Sequence, residues 1–242
     1  MSTGKPYSAL GGAFEILNDD CGYEEWSQYL IKKLKSLDAG RTGLDMGCGN
    51  GYFTRALNRA GYSVTGMDIS EEMLSAAVEL SRREGVRAEF LYGDITKLKL
   101  NFKPDFIVAV NDCVNYIPQD KLSTSFSKVF KSLKKGGLFI FDISSEQKLR
   151  SDVGNNLFAD DGEEITCLWF NTLRGDRVDM DITVFTRGAD GKYTRADERQ
   201  TQYIYSESSV ISALEEVGFA VETEGHLGGK KDKRINFICR KL

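Results

Sequence analysis

Leu44-Asp45-Met46-Gly47-Cys48-Gly49-Asn50-Gly51-Tyr52-Phe53 is an apolar strand that ends in an acid and three alternate glycines and runs straight into a helical pattern. Glycine lets the backbone turn tightly and approach a ligand, and free N–H groups at a helix start can hold polar or anionic atoms. Many strand-to-helix turns use glycine for packing alone, so the surrounding residues decide what this loop means. A nicotinamide fingerprint, G-x-G-x-x-G, would need glycine where Tyr52 stands; the spacing is G-x-G-x-G instead. An acid two residues before Gly47 suits a ligand with an ammonium group better than a pyrophosphate. The segment therefore points to an amino-acid-containing nucleoside.

Outward from this loop, short apolar runs alternate with helical periods. Strands are expected at 43–46, 63–67, 88–91, 106–110 and 138–143, and helices at 52–60, 71–84 and 121–133. Strand–helix alternation implies right-handed crossovers and an α/β fold, a mostly parallel sheet with helices on both faces. Two further helices are expected ahead of it, at 5–18 and 23–37. Residues 150–205 break the rhythm: apolar and polar residues alternate at 165–171, 177–186 and 193–205, with turns at Arg174-Gly175-Asp176 and Gly188-Ala189-Asp190-Gly191. This predicts an antiparallel β insertion at 150–205 within a domain made of 1–149 and 206–242. A helix at 207–217 closed by Gly218, then strands at 220–224 and 234–240, return to the main sheet.

Composition excludes several classes. The 242 residues are 41% hydrophobic and 28% charged with only 3 prolines, as in an ordinary globular protein. With 36 acidic and 32 basic residues, no broad positive field exists, and nucleic acid is not an expected partner. No apolar run approaches the roughly 20 residues of a membrane helix, and no charged leader precedes an apolar stretch, so a cytoplasmic protein with no membrane partner is expected. Cys21, Cys48, Cys113, Cys167 and Cys239 are scattered without a C-x-x-C pair, which predicts reduced thiols and no metal site. His226 is the single histidine, so a Ser-His-Asp or Cys-His mechanism would rest on it alone.

Asp68 ends the second strand, where a carboxylate can accept two ribose hydroxyls. Ser70 reads as a helix cap, and Met73 as core or as an adenine-facing surface. After the third strand, Asp94 is either a turn residue or an acceptor for the adenine amine, with Ile95 packing on the ring.

Together these residues resemble the class I S-adenosylmethionine-dependent methyltransferases: Asp45-x-Gly47-x-Gly49-x-Gly51, Asp68 and Gly93-Asp94-Ile95 match the first three motifs in order and spacing. The resemblance implies a Rossmann-like seven-stranded sheet and S-adenosylmethionine as cofactor. By it, Asp45 and the loop Gly47, Cys48, Gly49 and Gly51 hold the methionine moiety, Asp68 the ribose, and Asp94, Ile95, Ile69 and Met73 the adenine. The chain is similar to a bacterial branch of small-molecule methyltransferases with a β insertion before the last helix. Relatives there read Cys-Asp-x-x-Asn-Tyr after the fourth strand, matched by Asp112 to Tyr116 with Asn111 in place of the first cysteine. They often carry Tyr-Asp in the first helix, where this chain has Phe14-Glu15.

The expected reaction is methyl transfer to N or O of a small molecule, with S-adenosylhomocysteine released. Two other readings are a non-catalytic cofactor-binding sensor or partner subunit and a nicotinamide-dependent oxidoreductase. Asp112 and Tyr116 are the candidates for base or acceptor contact, with Asp142 and His226 as alternatives. Cys113 reads as a packed thiol. Trp169, Phe170, Tyr203 and Tyr205 either wall an acceptor pocket or form a small core. Lys230-Lys231-Asp232-Lys233-Arg234 reads as a solvated hairpin tip. The insertion is expected to be a lid over the acceptor, the competing reading being a dimerisation arm of a homodimer.

Overall fold

The computed structural model describes residues 22–242. The helix expected at 5–18, with Phe14, lies outside them. Helix α1 (Tyr23–Ser36) repeats Trp26, Leu30 and Leu34 every fourth residue and buries that stripe. Strand β1 (Thr42–Met46), α2 (Tyr52–Arg59), β2 (Ser63–Asp68), α3 (Glu71–Arg83), β3 (Glu89–Tyr92), β4 (Phe106–Ala109), α4 (Leu122–Ser132) and β5 (Leu138–Ser144) follow in the alternation read from the sequence. Ser70 caps α3, accepting from the Met73 amide.

A second sheet then intervenes: β6 (Leu157–Asp161), β7 (Ile165–Arg174), β8 (Arg177–Arg187) and β9 (Tyr193–Tyr203), all antiparallel. Helix α5 (Glu207–Val217), closed by Gly218 at a φ of 111°, leads to β10 (Phe219–Gly225) and β11 (Arg234–Lys241). The first sheet has seven strands in the order β10-β11-β5-β4-β1-β2-β3. Only β11 runs antiparallel to its neighbours β5 and β10.

Alternate residues of the central strands point to opposite faces. Phe106, Val108, Leu138 and Ile140 pack against Trp26, Leu30 and Leu34 of α1 and Phe53 and Leu57 of α2. Ile107, Ala109, Phe139 and Phe141 pack against Phe126 and Val129 of α4 and Val210 and Leu214 of α5. The second sheet has its own core of Ile165, Cys167, Val178, Met180, Ile182 and Val184. The four cysteines among the described residues are free thiols. No helix among those residues is long and apolar enough to cross a membrane.

Candidate functional site

A cavity opens at the carboxyl ends of β1 to β4, across the point where strand order reverses between β1 and its neighbours. Open α/β sheets hold ligands there. Gly47, Cys48, Gly49 and Asn50 line it after β1, Asp68, Ile69 and Met73 after β2, Gly93 to Thr96 after β3, and Val110, Asn111, Cys113 and Tyr116 after β4. Tyr23, Tyr52 and Phe53 complete the lining, with ring centroids 5.1 Å (Tyr23–Tyr52) and 5.6 Å (Tyr23–Phe53) apart. Of the residues predicted to bind cofactor, Gly51 begins α2 behind the cavity and Asp45 lies beneath the loop; the rest line the space.

The glycine loop presents shape more than donors. The amides of Gly47 and Cys48 both donate to the Met67 carbonyl, that of Gly51 to the Cys48 carbonyl, and that of Gly49 to Asp68 Oδ2 at 2.9 Å. The amides of Gly47, Cys48 and Gly49 are thus spent on holding the loop to β2, and that of Gly51 closes the loop on itself. Gly47 is required for close approach: its φ is +75°, and a Cβ there would sit 2.3 Å from Cys113 Sγ.

Asp68 Oδ1 accepts the Ser70 amide at 2.9 Å, so each carboxylate oxygen takes one backbone donor and keeps a further accepting direction. Burial pushes its pKa up, against backbone hydrogen bonds from Ser70, Gly49 and Ile69. Asp94 accepts the Thr96 amide and hydroxyl at 2.8 and 2.7 Å and pairs with Lys97 at 3.2 Å. Burial raises its pKa, but those partners outweigh burial and hold it low. Asp45 is buried and accepts the Thr54 hydroxyl at 2.6 Å, while its Oδ1 has no hydrogen-bond partner. Burial, with Asp68 nearby, pushes Asp45 up to about 7 despite the Thr54 bond. A buried orphan oxygen under a glycine cradle, flanked by two carboxylates with accepting directions left, fits a ligand that combines an ammonium group with a nucleoside.

The turn after β4 is the junction of the molecule. Asn111 and Asp112 adopt left-handed φ values of 62° and 60°, and their amides donate to Asp142 Oδ1 and Oδ2 at 2.8 and 3.0 Å. Asn115 donates to the Tyr203 carbonyl of β9 at 2.9 Å and accepts the Ser144 amide of β5 at 2.9 Å. The Tyr116 hydroxyl donates to Gln200 Oε1 of β9 at 2.9 Å. Arg234, at the start of β11, forms ion pairs with both Asp112 and Asp142 and stacks over Trp26 with its guanidinium carbon 4.8 Å from the ring centroid.

Tyr116 alone of the four predicted reaction-side residues lines the cavity. Asp142 is a clamp for the turn, saturated by two amides and Arg234. Burial raises the Asp112 pKa, but Arg234 and Lys148 outweigh it and hold Asp112 low, which makes it a poor proton acceptor. His226 stands edge-on to Trp26 at 4.7 Å, and burial with Arg234 and Lys148 pushes it down to about 4, leaving a neutral imidazole.

Several other residues differ from expectation. Arg234 is no part of a solvated tip: its side chain is 13% exposed, while Lys231 and Lys233 pair at the surface with Glu207 and Asp152. Of the aromatic residues read as pocket wall or small core, Tyr205 is core, as one of those readings has it, and donates to the Ile117 carbonyl, whereas Phe170 is exposed and is neither. Cys113, read as a packed thiol, also faces the cavity and donates to the Met46 carbonyl at 3.3 Å. Tyr23, Tyr52 and Phe53 were not foreseen. Tyr52 and Phe53 directly follow the glycine loop, a position that in sequence reads as the first turn of a helix.

A family model described as a methyltransferase domain matches residues 44–137. A protein from Geobacillus sp. (strain WCH70), provisionally named a methyltransferase, is 30% identical over 97% of this chain and 99% of its own. Among solved structures, the chain is similar to an S-adenosylmethionine-dependent methyltransferase from Clostridium acetobutylicum ATCC 824, with 30% identity and a TM-score of 0.87 over 98% of this chain and 99% of that one. CalS10 of Micromonospora echinaspora, an amino pentose methyltransferase with S-adenosylmethionine bound, shares the fold at 15% identity and a TM-score of 0.75 over 95% and 97% of the two chains.

Proposed function

Because the chain belongs to the class I S-adenosylmethionine-dependent methyltransferases, we propose that it methylates a nitrogen or oxygen of a small molecule held between the cavity and the second sheet. The observation that carries this reading is Tyr116, which lines the cavity and is hydrogen-bonded to β9 of that sheet. The bound cofactor supplies a methyl group activated by a sulfonium. In this reading Asp68 accepts the ribose hydroxyls, and Asp94, Ile69, Met73 and Ile95 hold the adenine. Asp45, beneath the loop of Gly47 to Gly51, stabilises the methionine ammonium. Transfer needs in-line approach in a space without water, so alignment and desolvation carry most of the rate. Tyr116 receives a hydrogen bond from the nucleophile, and residues 150–205 act as a lid that supplies the opposite wall. Asp112, tied to Arg234, positions the turn that bears Tyr116.

Methyl-tritiated S-adenosylmethionine incubated with separated small-metabolite, RNA and protein fractions of a cell extract tests the acceptor class. Label is expected in the small-metabolite fraction, and label confined to RNA or protein would overturn the proposal. With the acceptor in hand, Tyr116→Phe should lower turnover about 10- to 100-fold with cofactor affinity unchanged, the loss of one hydrogen bond made in the transition state. Full turnover would remove Tyr116 from the reaction side.

Asp45 makes cofactor binding depend on pH. Its folded pKa lies above the ordinary 3.8, so it costs stability that grows as pH rises from about 4 to about 7. An ammonium group beside it favours the carboxylate, so binding at pH 6 must release a proton that is already gone at pH 8. Affinity should therefore rise roughly tenfold from pH 6 to pH 8 and then level off. Calorimetry on Asp45→Asn should give a flat profile; an equally steep one would assign the titration to another group.

A further inference from the structure

The inner face of the second sheet changes character between β8 and β9. In register, Val178 stands opposite Gln202, Met180 opposite Gln200, and Ile182 opposite Glu198. The β8 residues are buried and apolar, as that face requires; Glu198, Gln200 and Gln202 are as deeply buried, at 5%, 4% and 7% exposure. A strand serving only as packing would continue the apolar pattern, because buried amides and carboxylates cost free energy unless their hydrogen bonds are made. These bonds are made toward the turn that carries Tyr116. The Tyr116 hydroxyl donates to Gln200 Oε1 at 2.9 Å, Gln200 Nε2 donates to Glu198 Oε1 at 2.5 Å, and Gln202 Nε2 lies 3.4 Å from Asp112 Oδ2.

We infer that Glu198 and Gln200 are positioning residues that fix the Tyr116 hydroxyl as a hydrogen-bond acceptor toward the cavity, which selects a methyl acceptor bearing N–H or O–H at its nucleophilic atom. A carboxylate only accepts, so Glu198 requires the NH2 end of the Gln200 amide. The amide carbonyl then faces Tyr116. A phenol has one proton, and that proton is spent on Gln200, so its oxygen can offer the cavity only lone pairs. Without Glu198 the amide can turn, the phenol can donate into the cavity, and the sign of the site is lost. The lid thus sets the polarity of the reaction side as well as covering it. This rests on the reading of Tyr116 as the reaction-side residue.

Sinefungin, which carries an amine where the cofactor carries its methylsulfonium, and S-adenosylhomocysteine, which carries neither, test the inference without knowledge of the acceptor. By calorimetry the protein should bind sinefungin about tenfold more tightly, the effect of one charge-assisted hydrogen bond. Tyr116→Phe should abolish that preference. Glu198→Gln and Gln200→Leu should each reduce it at least threefold with S-adenosylhomocysteine affinity unchanged, and Glu198→Asp, which keeps the carboxylate, should retain it. If Gln200→Leu fails to bind S-adenosylhomocysteine, the contrast between Glu198→Gln and Glu198→Asp gives the answer. A preference lost in Tyr116→Phe but kept in Glu198→Gln would overturn the positioning role and leave Tyr116 in place. A preference kept in Tyr116→Phe would overturn the reading of Tyr116 beneath it.

Discussion

Asp68→Ala should weaken S-adenosylmethionine binding about a hundredfold, roughly 3 kcal/mol. Two losses combine. The carboxylate is the proposed partner of the ribose hydroxyls, and it is also the strut that joins the Gly49 amide of the glycine loop to the Ser70 amide at the cap of α3. Asp68→Asn should recover little, because its NH2 group would face one of the two amide donors. Isothermal calorimetry measures the affinity, and thermal unfolding without ligand separates loop disorder from general unfolding. Wild-type affinity in Asp68→Ala would remove this residue from the cofactor site.

Arg234→Met should lower the melting temperature by about 10 °C. Removing one member of a buried ion cluster leaves uncompensated charge, typically at a cost of about 3 to 5 kcal/mol, and in a chain this long each kcal/mol moves Tm by roughly 2 to 4 °C. Burial already pushes Asp142 up to about 6 with the Arg234 cation in place. Without it, Asp142 rises further above its unfolded value and Asp112 loses the main cation that holds it low. Groups with raised carboxyl pKa values lose stability as pH rises, so the deficit should be largest near pH 8 and shrink toward pH 5. Melting curves across that range check the sign. A deficit independent of pH would mean that Arg234 acts through its packing on Trp26.

Much of the fold was legible because it follows periodicity. The alternation from β1 to β5 and the three hairpin strands β7 to β9 follow a repeat, and they lie within two residues of their expected bounds except that β7 runs three residues further, to Arg174; Gly218 ends its helix as expected. Strand β6 was not legible, since all five of its residues are exposed and no burial pattern marks them. The segment Lys148–Val153 forms a π-helix, which has no sequence repeat of its own. At the cavity, local motifs carried the lining after β1 to β3: Gly47, Gly49, Asp68 and Asp94 lie close to strand ends, where their spacing has meaning. The rest is made of pairings between residues far apart in the chain. Arg234 meets Asp142 across 92 positions and Tyr116 meets Gln200 across 84. A basic run hides the first, and a polar stripe that reads as solvent-facing hides the second.

The order β10-β11-β5 also governs how the chain assembles. Strand β5 is buried along its whole length, yet one of its two neighbours, β11, is made only after the second sheet, α5 and β10. Until then Leu138-Phe139-Ile140-Phe141 is an open, apolar edge able to pair with any extended chain it meets. The long wait between the two partners raises contact order and slows closure of the sheet. Arg234 begins the strand that closes this edge: β11 lies between β5 and β10, and the Arg234 guanidinium pairs with both Asp112 and Asp142. The strand that covers the β5 edge therefore also carries the cation that locks the turn bearing Tyr116, and a chain without β11 in place lacks both.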